Sequence, residues 1–340
     1  LDMKHELRVT IIIILIFLVT QIFGLYTINK QVDILPAGSI IPGTNDTTTK
    51  NIPIMNDPLS DQKLTREEGS TGLIIIVIAV ALGTILLLTL VKFRQRRIWK
   101  MWYFLAVLLT MGITFKVYVE EWIPDIGIVI AVAFGLAFIL SLLKLYKPNT
   151  YIHNITEVFM YTGIALVFLM YFTVFWFIML LLLISIYDII AVWKTKHMVD
   201  LAEFTIKSNL FAGFSIPYTP KHKAMKKLKK PKKPDKVKNS DKKSSKSIKY
   251  VKVEQKTAIL GGGDVAFPLI FAGVVLAELR TFLQPTPAFL YSLIVIFFIT
   301  LSLFGLFVFA KKDRYYPAMP FITAGCLIGY GILKLILLLV

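Results

Sequence analysis

The sequence predicts an all-α polytopic membrane protein of nine transmembrane helices, with a small β-hairpin at the cytoplasmic mouth. Three observations predict it. The 340 residues are 56% hydrophobic, with a mean hydropathy of +0.70, beyond what soluble domains show. Apolar runs long enough to cross a bilayer recur along the chain. The formal net charge of +17 is concentrated in alternate loops, as sorting by positive charge requires. Such a balance can signal a nucleic-acid partner, but here topology and surface charge account for it, and no nucleic acid is expected.

The first run, Val9 to Tyr26, follows Lys4 and Arg8. It is long and no small-residue cleavage site follows, so it reads as an uncleaved span rather than a signal peptide. Residues 27–71 read as an external loop, rich in turn formers and without periodicity. Gly72 to Val91 is the second span, Trp102 to Val119 the third and Ile126 to Leu143 the fourth. The apolar stretch from Ile155 to Trp193 is too long for one helix. Splitting it near Tyr171-Phe172-Thr173 gives a fifth span (Ile155 to Met170) and a sixth (Val174 to Trp193). After a long polar segment come the seventh (Ala258 to Ala277), the eighth (Pro287 to Ala310) and the ninth (Ala318 to Leu339). Residues 1–193 thus carry helices one to six, 194–256 a largely disordered basic cytoplasmic loop, and 257–340 helices seven to nine.

Every even-numbered loop is basic. The second holds Lys92, Arg94, Arg96, Arg97 and Lys100, the fourth Lys144 and Lys147, and the eighth Lys311, Lys312 and Arg314. The odd loops are acidic or mixed. The N-terminus is therefore expected in the cytoplasm and the C-terminus outside. Within loop six, Thr195 to Ile206 suits a short interfacial helix. Asn209–Tyr218 and Ile248–Val253 are β-prone, and Lys221 to Lys246 is too polar and charged to fold.

Asp264, in Gly261-Gly262-Gly263-Asp264, stands inside an apolar span, where an unpaired carboxylate is costly and marks a functional site. Its partner is Asp188, in Ile186-Tyr187-Asp188-Ile189-Ile190. Counting inward from Lys194 and Lys256, both sit roughly 9–12 Å below the cytoplasmic boundary at helical rise. Two such carboxylates cannot both ionise cheaply, so the pair shares a proton. The ionised member can then activate water while the other polarises a carbonyl, as in general acid–base peptide hydrolysis. From these residues alone, the alternative remains a secondary transporter or ion-conducting protein with a proton site, although no self-similar halves are visible.

The other polar residues carry less. Cys326 is the lone cysteine and the four histidines are scattered, so no cysteine-based zinc site is expected and no cofactor is called for. Glu157 and Lys116 are expected to reach the interface. Glu278 and Arg280 are expected to form an external pair.

Tyr187-Asp188 in one span, Gly261-Gly262-Gly263-Asp264 in the next and Pro317-Ala318-Met319-Pro320 at the start of the last resemble the YD, GxGD and PAL motifs of the presenilin and signal peptide peptidase intramembrane aspartyl proteases. The likeness covers nearly the whole chain and is greatest to microbial, archaeal presenilin homologues. It implies an aspartyl protease that hydrolyses peptide bonds inside transmembrane helices, with Asp188 and Asp264 as the catalytic dyad. It further implies substrate contacts at Tyr187, Gly261, Gly262, Gly263, Pro317, Ala318 and Met319. Met319 stands where the family usually has Leu, and Gly262 where presenilins usually carry a larger apolar side chain. Single-span membrane proteins would be the substrates, entering from the bilayer with their N-termini outside. Accessory subunits are not required on this reading, and homo-oligomerisation and self-cleavage of the 194–256 loop stay open. A substrate helix must unwind before it can be cut, and the β-prone pieces flanking loop six would capture the unwound strand by β-augmentation.

Overall fold

The structure is a computed structural model that describes residues 7–39, 47–49, 51–56, 63–65, 96–147, 149–169, 171–195, 212–218, 256–309 and 316–339, with isolated positions at 74, 78, 82 and 83. The expected second span, the interfacial helix and the β-prone piece 248–253 therefore lie outside the described residues, apart from those isolated positions and Thr195. So does almost all of the 194–256 loop.

Eight long helices are described: α1 (Leu7–Gln31), α2 (Arg96–Val119), α3 (Ile126–Tyr146), α4 (Thr150–Leu169), α5 (Val174–Ile189), α6 (Gly263–Leu279), α7 (Pro285–Phe309) and α8 (Met319–Leu339). Seven of the spans they form are long and apolar enough to cross a membrane. The break between the fifth and sixth spans falls at Tyr171–Thr173, with Thr173 in extended conformation at the N-cap of α5. α5 ends just after Asp188 and runs on as a π-helical segment, Ile190–Thr195.

α6 is the centre of the bundle. Its residues from Val265 to Leu279 are buried on almost every face, and it packs against α1, α4, α5, α7 and α8. At 17 residues it is about 25 Å long, short for a bilayer core. The shortfall lies on its N-terminal side, because the expected seventh span begins as a strand. Residues Lys256–Gly261 form β5, paired antiparallel with β4 (Gly213–Tyr218) in the register Gly213↔Gly261 to Tyr218↔Lys256. Hydropathy cannot separate this strand from a helix, since Ala258, Ile259 and Leu260 are apolar in either conformation.

Close backbone approaches fix the helix pairs. A Cβ on Gly163 of α4 would strike the carbonyl of Thr110 in α2. On α8, Gly325 and Gly329 are spaced as in small-xxx-small interfaces, and Cβ atoms there would fall 2.9 Å from the Phe298 carbonyl and 3.0 Å from Val295 Cα of α7.

The segment expected as a plain external loop instead contains a three-stranded antiparallel sheet, β1 (Val32–Leu35), β2 (Ile52–Asn56) and β3 (Lys63–Thr65). It leaves α1 directly. At this same end Lys30 pairs with Glu121 and Gln31 bonds Glu120, and Arg280 donates to the Val32 carbonyl at 2.8 Å. The C-terminal ends of α1, α2 and α6 therefore lie together.

Several charges differ from expectation. Glu157 and Lys116 do not reach the interface: they are 0% and 4% exposed. Glu157 is held instead by Lys144 at 2.6 Å. Glu278 and Arg280 do not pair with each other. Glu278 takes Lys334 of α8 at 2.6 Å, while Arg280 reaches β1.

Candidate active site

α5 and α6 run antiparallel past each other and carry Asp188 and Asp264. Asp188 is 8% exposed, and its Oδ2 accepts the amide of Met319 at 3.2 Å. That amide is free to donate because it opens α8, where the first N–H groups have no partner within the helix. One turn earlier on α5, Ser185 Oγ and Thr323 Oγ1 of α8 share a hydrogen bond of 2.7 Å. These two contacts clamp α5 to α8 beside the carboxylate. Of the Tyr-Asp pair only the aspartate is buried, since Tyr187 is 40% exposed.

Asp264 lies in the first turn of α6, partly buried and within the electrostatic field of Asp188. Its turn is unusual in three ways. Pro268 follows four residues on, so the Asp264 carbonyl lacks its usual helical donor. Gln21 of α1 donates from Nε2 to the Val265 carbonyl at 2.9 Å. Gly261 is close enough that a Cβ there would stand 3.1 Å from Asp264 Oδ2. The glycines therefore act locally: Gly261 leaves room for the carboxylate, while Gly262 meets Tyr161 of α4.

The third motif comes to the same place. Pro317 and Met319 are buried and Ala318 partly so, with Met319 bonded to Asp188. The structure thus brings Asp188, Asp264, Gly261, Gly262 and Met319 into one neighbourhood, with Gly263 exposed at the helix start. Among the described residues, no group of three His, Cys, Asp or Glu side chains is placed to hold a metal ion.

The hairpin ends at this site. Gly262 N–H donates to the Ala212 carbonyl at 3.2 Å. By antiparallel alternation, 258, 260 and 262 bond β4, while Thr257, Ile259 and Gly261 turn their amides and carbonyls outward. β4 has its own outer edge closed: Asn154 of α4 donates to the Ser215 carbonyl and accepts from the Ser215 amide, both at 3.1 Å. His153 Nε2 lies 2.8 Å from the Gly213 carbonyl. The outer edge of β5 has no backbone partner among the described residues.

The sequence reading did not find Asn154, Tyr161, Gln21 or the buried Lys144–Glu157 pair. A signal was present. His153, Glu157 and Tyr161 recur at four-residue spacing along one face of an otherwise apolar span, which is unusual for a lipid-facing stripe.

With this geometry in view, the comparisons with known proteins are decisive on one point. The family model described as signal-peptide peptidase, presenilin aspartyl protease matches residues 51–338. The chain belongs to this family. Membership makes it an aspartic endopeptidase of the membrane interior, not the transporter that a carboxylate pair alone left open. Two solved structures of a presenilin family intramembrane aspartate protease, in P2 and C222 space groups, share the fold of this family member. The first gives a TM-score of 0.55 at 17% identity, covering 99% of this chain and 100% of that one. The second gives 0.55 at 18%, covering 95% and 99%. No curated protein matches the sequence.

Proposed function

We propose that this presenilin-family protein hydrolyses peptide bonds within the transmembrane helices of single-span proteins, with Asp188 and Asp264 as the paired acid and base. What supports the reading is the order of three motifs on adjoining helices: Asp188 on α5 accepts the amide of Met319 at the start of α8, and Asp264 opens α6, which packs against both helices. In this mechanism one carboxylate is ionised and takes a proton from water, whose oxygen attacks the scissile carbonyl carbon. The other carboxyl gives its proton to the carbonyl oxygen. The tetrahedral diol then collapses, with one proton returned to a carboxylate and one delivered to the leaving nitrogen, so the pair ends as it began.

The substrate must be extended to present a bare peptide bond. The open edge of β5 supports capture by strand addition, immediately before Gly261, Gly262 and Gly263. On this reading Pro317, Ala318 and Met319 contact the captured strand from the start of α8, where Met319 already bonds Asp188, and Tyr187, 40% exposed, meets it from α5. The basic even loops support an N-terminus in the cytoplasm and a C-terminus outside, with residues 194–256 as a basic cytoplasmic linker and no accessory subunit needed for cleavage.

The test is cleavage of a synthetic single-span helix by the purified protein in detergent. The wild type cleaves it and a transition-state mimic of aspartyl proteolysis blocks the reaction. Asp188→Asn and Asp264→Asn each lose activity, and persistent cleavage by either refutes the dyad. Ile259→Pro removes an outward amide of β5 and leaves the ladder to β4 intact. It should weaken cleavage at least about tenfold, and undiminished activity would remove strand addition at that edge.

A further inference from the structure

Gly262 joins β5 to α6, and the space beside it is filled by a side chain from another span. A Cβ placed on Gly262 would lie 2.7 Å from Tyr161 Oη, 3.2 Å from its Cε1 and 3.3 Å from the Ala212 carbonyl oxygen. Position 262 therefore admits no side chain while Tyr161 keeps its place. Tyr161 is not free to swing away. It is 2% exposed, and its ring meets Phe214 of β4 edge-on, with centroids 5.7 Å apart and planes at 78°.

The phenol is also out of the ordinary. A buried tyrosine hydroxyl normally has a hydrogen-bond partner; this one makes no hydrogen bond of ordinary length among the described residues, and the group that faces it is the Glu157 carboxylate, one turn earlier on α4. The hydroxyl oxygen is the atom that reaches Gly262. What it contributes here is volume at that point.

We propose that Tyr161 is a positioning residue for Asp264: its phenol fills the place that a side chain at 262 would take, and so props the joint between strand and helix from the α4 side. The proposal rests on the dyad reading above and adds to it a determinant on a different span. It also accounts for the bare glycine at the variable position of the motif, because size at 262 and size at 161 must trade against each other. The same face of α4 holds the hairpin through His153 and Asn154. Between these contacts and Tyr161, the Lys144–Glu157 pair anchors α4 to α3.

A double-mutant cycle with conservative changes tests this. Gly262→Ala meets the hydroxyl oxygen, so it should lower kcat at least about tenfold with KM changed less than about twofold, since the aspartate turn moves and the substrate's entry does not. Tyr161→Phe removes only the clashing atom. Alone, it opens a gap beside Gly262 and should lower kcat about three- to tenfold with KM changed less than about twofold. Combined, Tyr161→Phe should restore Gly262→Ala to within about threefold of the wild type. A Tyr161 that only packs α4 against the hairpin predicts that Tm falls in the single variants while kcat does not, so wild-type kcat in Tyr161→Phe, whatever its Tm, overturns the proposal. A fully active Gly262→Ala, or a double variant no better than Gly262→Ala, overturns the proposal. Loss of more than about tenfold in kcat for Tyr161→Phe alone also overturns it, since the hydroxyl would then act chemically. Asp188→Asn and Asp264→Asn, assayed on the same helix, separate the two ideas. Activity in those variants sinks the dyad, whereas a failed cycle beside inactive aspartate variants sinks only the role of Tyr161.

Discussion

Lys144→Met should destabilise the protein by about 3–5 kcal/mol, the cost found when one partner of a buried ion pair is removed. The structure argues for that range. Lys144 Nζ stands 2.6 Å from Glu157 Oε1, with the two side chains 2% and 0% exposed. At an effective dielectric of about 20 the attraction across that gap is about 6 kcal/mol. The other polar neighbours of Glu157 are weaker: the Tyr161 hydroxyl faces the carboxylate beyond ordinary hydrogen-bond length, and His153 Nε2 is 3.7 Å from Oε1. Lys144 in addition lies 5.8 Å from the centre of the Tyr103 ring. Removing the lysine leaves the carboxylate in the bundle with only the His153 ring and the Tyr161 hydroxyl beside it. The double variant Lys144→Met/Glu157→Leu removes both charges and should recover to within about 1 kcal/mol of the wild type. Equilibrium unfolding in mixed micelles measures both. A loss below about 1 kcal/mol for Lys144→Met, or a double variant no more stable than the single, would refute the reasoning.

Three further outcomes follow from contacts described above. Gly163→Ala should cost about 1–3 kcal/mol, read as a fall in Tm, because its Cβ meets the Thr110 carbonyl and α2 and α4 must part. Ser185→Ala should cost about 1 kcal/mol, at the low end because Thr323 Oγ1 can turn to the Leu181 carbonyl, 3.5 Å away; a loss above about 3 kcal/mol would mean that the clamp beside Asp188 carries more than one hydrogen bond. Asn154→Leu frees both outward groups of Ser215 and opens the second edge of the hairpin. Mass spectrometry of the products should then show cleavage spread over more peptide bonds, and an unchanged product pattern would count against one-sided capture.

Much of the frame could be read from hydropathy because lipid imposes one rule on every span. The ends of α3, α7 and α8 fall within three residues of the apolar runs, and the break at Tyr171–Thr173 was visible as an apolar stretch too long for a single helix. The expectation that Asp188 and Asp264 pair rests on depth counted along two consecutive spans, a count that needs only the helical rise. Other features were hidden for physical reasons. Ala258–Leu260 is apolar whether extended or helical, so the strand that precedes α6 passed as part of a span. The strands β1, β2 and β3 are three to five residues long, too short for alternation to stand out among turn formers. Glu157 was taken for an interfacial residue because its partner, Lys144, lies on a different helix at the far side of a loop. The four-residue recurrence of His153, Glu157 and Tyr161 marks Tyr161 as one of a polar face, but its contact with position 262, two spans away, is visible only in the fold.

β5 and α6 are separated by Gly262 alone. If a substrate strand adds to β5, it stiffens the residues from which the Asp264 helix departs, so gripping the chain and aiming the carboxylate become one mechanical event. Such a joint tolerates changes of residue better than changes of length. One residue inserted between Gly261 and Asp264 would swing the carboxylate by about 100° around the helix axis, while every strand pair of the hairpin stayed intact.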